Sequence, residues 1–296
     1  MKDKTIFRGA ATALVTPMNE DGSIDYTSFA KLIKMQIEGG IDALLVLGTT
    51  GEACTLSDKE KRKFIDFAIE NIRSRVPMIV GTGTNDTART VELSKYAAQV
   101  GADALLVVTP YYNKATESGL VRHYLSVADA VDVPIIVYNV PSRTGVNVGL
   151  SVYRELVKHE NIRAVKEASG NVSLAADILS EFRGQLDVYS GCDDLTLPIL
   201  ALGGCGVISV LSNVIPRDVH DMCEKFAIGD VIGARELQLS QIKLCRAMFS
   251  EVNPIPIKRA CEILRICSSS ARLPLTEMSE KNGEKLRVAM AEYGLI

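Results

Sequence analysis

The sequence predicts an α/β protein, a TIM (β/α)8 barrel with a C-terminal three-helix extension. Three observations lead there. Eight short apolar runs recur between residues 9 and 211. Each is followed by a longer amphipathic segment, as a barrel of parallel strands and crossover helices requires. After Gly229 the alternation stops and three helical patterns follow. We therefore expect a catalytic barrel over residues 1–229 and a helical extension over 230–296.

The apolar runs fall at 9–15, 43–47, 78–81, 104–108, 135–138, 162–165, 186–189 and 206–211. They are continuous rather than alternating, the pattern of strands covered on both faces. Helix 27–38 places Phe29, Leu32, Ile33 and Ile37 on one side. Helix 57–74 opens with the capping pair Ser57 and Glu60 and continues through Phe64, Ile65, Ala68 and Ile72. Helices at 86–100, 117–131, 150–159, 173–182, 194–202 and 216–228 complete the alternation, and 230–249, 256–267 and 276–292 form the extension. A doubly wound open sheet is the alternative, but no Gly-x-Gly-x-x-Gly follows the first strand.

Composition excludes several function classes. Lys+Arg is 33 against Asp+Glu 36, a net charge of -3, with no basic stretch to track nucleic acid. No apolar run reaches the roughly 18 residues of a membrane span. The segment 1–17 holds two lysines, and its apolar patch is broken by Thr12 and Thr16, unlike a leader peptide. Seven cysteines without a Cys-x-x-Cys pair suit reduced, mostly buried thiols and a cytoplasmic location. The three histidines, His123, His159 and His220, fall on expected helices and do not cluster, so no metal site is expected. Gly203, Gly204 and Gly206 precede the eighth strand, the wrong end of a barrel for phosphate.

Barrel active sites lie at the carboxyl ends of the strands. The sixth run ends in Lys166-Glu167, so Lys166 is held where hydration is scarce and a free amine is favoured. A free amine is the nucleophile that forms an imine with a ketone. The alternatives are a lysine reaching the rim or one paired with Glu167. Tyr138 ends the neighbouring strand and offers a phenol for proton transfer, or else a hydrogen-bonded core aromatic. Thr49 and Thr50, between Gly48 and Gly51, offer hydroxyls and backbone N–H groups to a small carboxylate, or form an ordinary turn. Arg143 offers a bidentate fork to a second carboxylate, or is a solvated loop residue. Cys192 follows the seventh strand and is expected to be dispensable.

Three motifs carry a resemblance. Gly48-Thr49-Thr50-Gly51-Glu52, Tyr138-Asn139-Val140-Pro141-Ser142-Arg143-Thr144-Gly145 and Val165-Lys166-Glu167-Ala168-Ser169-Gly170 resemble those of the dihydrodipicolinate synthase family of class I aldolases. The likeness continues through Asn253-Pro254-Ile255-Pro256-Ile257-Lys258 to Arg272-Leu273-Pro274-Leu275. It implies that Lys166 forms the imine with pyruvate. Tyr138, Thr49 and Tyr112 would form the proton relay, with Tyr112 reaching in from a neighbouring subunit. Thr50 would hold the pyruvate carboxylate and Arg143 that of aspartate semialdehyde, while Gly191 and Ile208 would supply backbone contacts. It also implies a homotetramer built as a dimer of dimers, with no external cofactor.

The resemblance has a gap. In lysine-regulated members a glutamate grips the inhibitor, with histidines close by. Asn85 and Tyr111 match that cleft, but the glutamate position is Arg89 and the histidine positions are Asp58 and Lys61. A cation in place of the gripping anion repels lysine, so weak or absent feedback inhibition is expected. N-acetylneuraminate lyase and other sugar-acid aldolases share the lysine and tyrosine but lack the Ser-Arg-Thr-Gly run. An inactive ligand-binding paralogue is the reading from another class, and it is expected to have lost Lys166 or Tyr138.

Overall fold

The computed structural model describes residues 5–296. Lys2 and Lys4, part of the N-terminal segment weighed as a leader, lie outside the described residues. Eight strands close into a barrel in sequence order. They are β1 (Gly9–Ala13), β2 (Ala43–Val46), β3 (Met78–Gly81), β4 (Ala104–Val108), β5 (Ile135–Asn139), β6 (Ile162–Glu167), β7 (Asp187–Ser190) and β8 (Gly206–Ser209). Between and after them run helices α1 (Tyr26–Glu38), α2 (Asp58–Ile72), α3 (Thr87–Val100), α4 (Glu117–Ala128), α5 (Pro141–Thr144), α6 (Leu150–Leu156), α7 (Val172–Glu181), α8 (Thr196–Ala201) and α9 (Pro216–Ala227). Beyond the barrel come α10 (Val231–Met248), α11 (Ile255–Ile263) and α12 (Glu280–Tyr293).

Every residue of β2, β5 and β8 is buried, which is why these strands read as continuous apolar runs. The helix starts follow local chemistry. Ser57 and Glu60 form the expected capping box on α2, the Glu60 carboxylate accepting from Ser57 N at 2.8 Å. Asp86 caps α3 by accepting from Ala88 N and Arg89 N. Such caps each contribute on the order of 1 kcal/mol.

Boundaries differ where side chains redirect the backbone. The helix expected over 150–159 ends at Leu156, because His159 lies in a bend and its Nδ1 accepts from Asn161 N at 3.1 Å. His159 is thus not on a helix. The strand expected over 162–165 continues to Glu167, so Lys166 is itself a strand residue. The one-turn helix α5 was not foreseen; it opens on Pro141 and closes on Gly145 at φ 70.

The chain forms two compact units. One comprises residues 5–8 and Pro77–Ile208. It holds β3 to β7 paired in parallel, and the Phe7 ring stacks on Tyr189 with centroids 4.2 Å apart. The Tyr189 hydroxyl donates to Phe7 O at 2.7 Å, so this buried phenol is satisfied. The other unit comprises Gly9–Val76 and Ser209–Ile296. Here Phe29 stacks on Phe64 at 4.2 Å, and the buried Gln36 amide donates to Ser212 O at 2.9 Å. Helices α10, α11 and α12 belong to this second unit. No helix among the described residues is long and apolar enough to cross a membrane.

Candidate active site

In the first unit, β5 and β6 pair with Tyr138 beside Lys166 and Asn139 beside Glu167. Residues in register share a face of the sheet, and successive residues alternate. Tyr138 and Lys166 therefore project from one face, and Asn139 and Glu167 from the other. Lys166 is 5% exposed and Tyr138 6%, and the Lys166 Nζ lies 4.5 Å from the centroid of the Tyr138 ring.

The opposite face explains why Glu167 is not the counter-ion of Lys166. Its Oε2 accepts from Asn139 Nδ2 at 2.8 Å, and its Oε1 accepts from Ser169 N at 2.6 Å. Asn139 is held in turn by Asn147 Oδ1 at 2.8 Å and by Val148 N, which donates to its Oδ1 at 3.1 Å. This network ties the end of β6 to the end of β5 and fixes the strand on which Lys166 rides. The Lys166–Glu167 pair that the sequence allows is not formed, because adjacent strand residues leave by opposite faces; the partner of Glu167 is Asn139, which the sequence shows only as part of a motif.

Gly191 follows β7 for a steric reason. A Cβ there would stand 2.5 Å from Ala168 Cβ and 3.1 Å from Lys166 Cε. Only glycine lets the backbone approach the lysine stem, while Gly191 N donates to Glu167 O at 2.7 Å. Next to it, burial pushes the Cys192 thiol up to about 11, with the Asp194 and Asp193 carboxylates adding to the effect. Burial and the two carboxylates therefore favour the protonated thiol of Cys192 near neutral pH.

Arg143 is exposed on α5, placed by the turn between Pro141 and Gly145. Ile208 is buried in β8. Tyr112 follows β4 at φ 73 and is 87% exposed, so it does not pack on Lys166 within the chain. A tyrosine in the left-handed region is strained, and such strain gathers at functional positions.

Thr49 and Thr50 lie in the second unit, in the 3-10 turn Thr49–Gly51 that follows β2. Leu47 at φ 56 and Glu52 at φ 54 bracket this turn. Thr16 Oγ1 donates to Gly51 O at 2.7 Å, and Asn253 Nδ2 donates to Thr50 Oγ1 at 3.0 Å. Glu52 is fully enclosed and forms an ion pair with Lys258, equally enclosed. In the sequence Asn253 and Lys258 stand out only within the motif that carries the resemblance; no local pattern connects positions about two hundred residues apart to the turn.

Among the described residues one group, His220, Asp221 and Glu224, brings ligand atoms within 4.8 Å of one another. The His220 Nδ1 is already engaged by Asp42 Oδ2 at 2.9 Å.

The chain resembles known proteins over nearly its whole length. The model of the dihydrodipicolinate synthetase family matches residues 6–293. The 4-hydroxy-tetrahydrodipicolinate synthase of Acetivibrio thermocellus is 46% identical over 293 residues, covering 99% of each chain. The crystal structure of dihydrodipicolinate synthase from Aquifex aeolicus superposes with a TM-score of 0.95 at 44% identity, covering 98% of this chain and 99% of that one. The chloride-inhibited enzyme of Acinetobacter baumannii, complexed with pyruvate, gives 0.96 at 40% identity, covering 99% and 100%. The chain belongs to the dihydrodipicolinate synthetase family, within the N-acetylneuraminate lyase superfamily of class I aldolases.

Proposed function

We propose that this chain is a 4-hydroxy-tetrahydrodipicolinate synthase, condensing pyruvate with aspartate 4-semialdehyde in the committed step of lysine and diaminopimelate biosynthesis. The observation that carries this is the buried Lys166 amine over the Tyr138 ring, in a chain that matches the family over residues 6–293.

The Lys166 amine adds to the pyruvate ketone and water leaves, giving an imine. Loss of a proton from the methyl carbon gives the enamine, with the protonated imine as electron sink. The enamine carbon attacks the semialdehyde aldehyde, whose oxygen takes a proton and remains as the 4-hydroxyl. The semialdehyde amine then attacks the imine carbon, closing the ring and releasing Lys166. The sequence balances with no external cofactor. Tyr138 and Thr49 relay the protons, with Tyr112 supplied by a neighbouring subunit; its exposure and left-handed backbone support that role. Thr50 holds the pyruvate carboxylate, Arg143 that of the semialdehyde, and Gly191 and Ile208 supply backbone contacts. In this reading the assembly is a homotetramer in the cytoplasm, and residues 230–296 are an extension of the barrel of residues 1–229.

The test is pyruvate consumption by the purified protein with aspartate semialdehyde, beside cleavage of N-acetylneuraminate. Condensation that disappears in Lys166→Ala supports the proposal. Cleavage of the sugar acid alone would keep the imine lysine and overturn the reading of Arg143; activity with neither would point to a silent paralogue.

A further inference from the structure

The Asn253-Pro254-Ile255-Pro256-Ile257-Lys258 stretch has no part in the chemistry above, yet two of its side chains end on the Thr49–Gly51 turn and the residue after it. Asn253 is 6% exposed and Thr50 3%. The Asn253 amide nitrogen donates to Thr50 Oγ1 at 3.0 Å. A threonine hydroxyl has one proton and two lone pairs. When a lone pair is taken by an amide donor, the proton must point elsewhere.

The turn cannot drift away from Asn253. Lys258, entirely buried, pairs with Glu52 and also donates to Ser270 O at 2.5 Å. The other Glu52 oxygen accepts from Arg272 N at 3.2 Å. The Arg272 guanidinium donates to Thr55 O at 2.8 Å and spans both oxygens of Glu60. The turn is thus bound at Thr50, Glu52 and Thr55 by residues that all follow the barrel strands.

We infer that Asn253 is a positioning residue for pyruvate binding: its amide occupies the Thr50 oxygen as a donor and so commits the Thr50 hydroxyl proton to the substrate carboxylate. The inference rests on the proposed role of Thr50. It gives the C-terminal helical segment a specific part in substrate affinity beyond packing.

The test uses the full-length protein and compares Thr50→Val, Asn253→Leu, the two combined, and the isosteric Asn253→Asp. KM for each substrate, kcat and the thermal midpoint are measured for all. Loss of one hydrogen bond to a carboxylate is expected to raise KM for pyruvate about tenfold in Thr50→Val and in Asn253→Leu. KM for aspartate semialdehyde should stay within about twofold, since that substrate binds elsewhere. The combined variant should be no worse than Thr50→Val alone, because the proton that Asn253 directs is already gone. Asn253→Asp keeps the shape but accepts the Thr50 proton, and should bind pyruvate most weakly.

Effects that multiply in the combined variant would overturn the inference. So would Asn253→Asp with an unchanged KM for pyruvate, or KM values for both substrates rising together with a fallen thermal midpoint. If Thr50→Val itself leaves the KM for pyruvate unchanged, the role of Thr50 is wrong and the inference falls with it; a raised KM in Thr50→Val without one in Asn253→Leu removes the inference alone.

Discussion

Lys166 and Glu167 are neighbours in sequence with opposite surroundings. One projects beside Tyr138, and the other is locked by Asn139 and Ser169 N. The pleat of β6 makes that difference, since adjacent side chains leave by opposite faces. A second residue near the lysine, Cys192, is held as a thiol by burial. We therefore expect Cys192→Ser to retain kcat within about twofold, because a protonated thiol supplies little nucleophilic chemistry. A loss of a hundredfold or more would show that Cys192 acts directly. At this scale Lys166 and Tyr138 could be read from the sequence, since each closes an apolar run. The Asn139–Glu167 network could not, because its selection depends on which face each residue takes once the register is set.

Among the elements, α4 carries a pH-dependent contribution to stability. His123 is buried on it, with Nδ1 at 2.9 Å from Thr87 Oγ1, and burial lowers its pKa from 6.5 to about 4. The folded state keeps this ring neutral where the unfolded chain takes up a proton. Its contribution is therefore complete above pH 6.5 and is lost as the pH falls toward 4, on the order of 3 kcal/mol in all. The thermal midpoint of the protein should fall between pH 6.5 and 4.5 more steeply than that of His123→Gln. Parallel curves would assign the acid sensitivity to other groups. Lower in pH, the Arg272 guanidinium holds the Glu60 carboxyl at about 2, so that stabilisation is present above pH 4.5 and lost below it. Most elements were legible because strand runs and helix caps are local signals; the Ser57–Glu60 box marks the start of α2 correctly. A turn at Thr49 was legible from its flanking glycines, but its 3-10 form and the short helix α5 were not, since segments of three or four residues leave no periodicity to count.

For the molecule as a whole, the closed eight-stranded order followed from counting alternations, because parallel strands need crossover helices and a barrel of this kind takes eight. What counting could not reach was the hold of the post-barrel residues Asn253, Lys258 and Arg272 on the turn after β2, a relation set by tertiary packing alone. Regulation also belongs to this scale. Arg89 lies in the first turn of α3, largely exposed and 3.8 Å from the Asp86 carboxylate, and Lys61 lies 3.8 Å from Asp58. With Arg89 in place of the gripping glutamate, lysine should leave the activity essentially unchanged at millimolar concentration. Half-inhibition below that range, measured at saturating pyruvate, would show that the cleft recognises lysine by other groups.

The chemistry proposed for this chain turns on an imine between Lys166 and pyruvate. Its most direct test is incubation with pyruvate and sodium borohydride, followed by mass spectrometry of the intact chain and its peptides. One reduced pyruvate adduct per chain is expected, on the peptide containing Lys166, with activity lost in proportion and no adduct in Lys166→Ala. An adduct on another lysine, or condensation that continues with Lys166 unmodified, would contradict it.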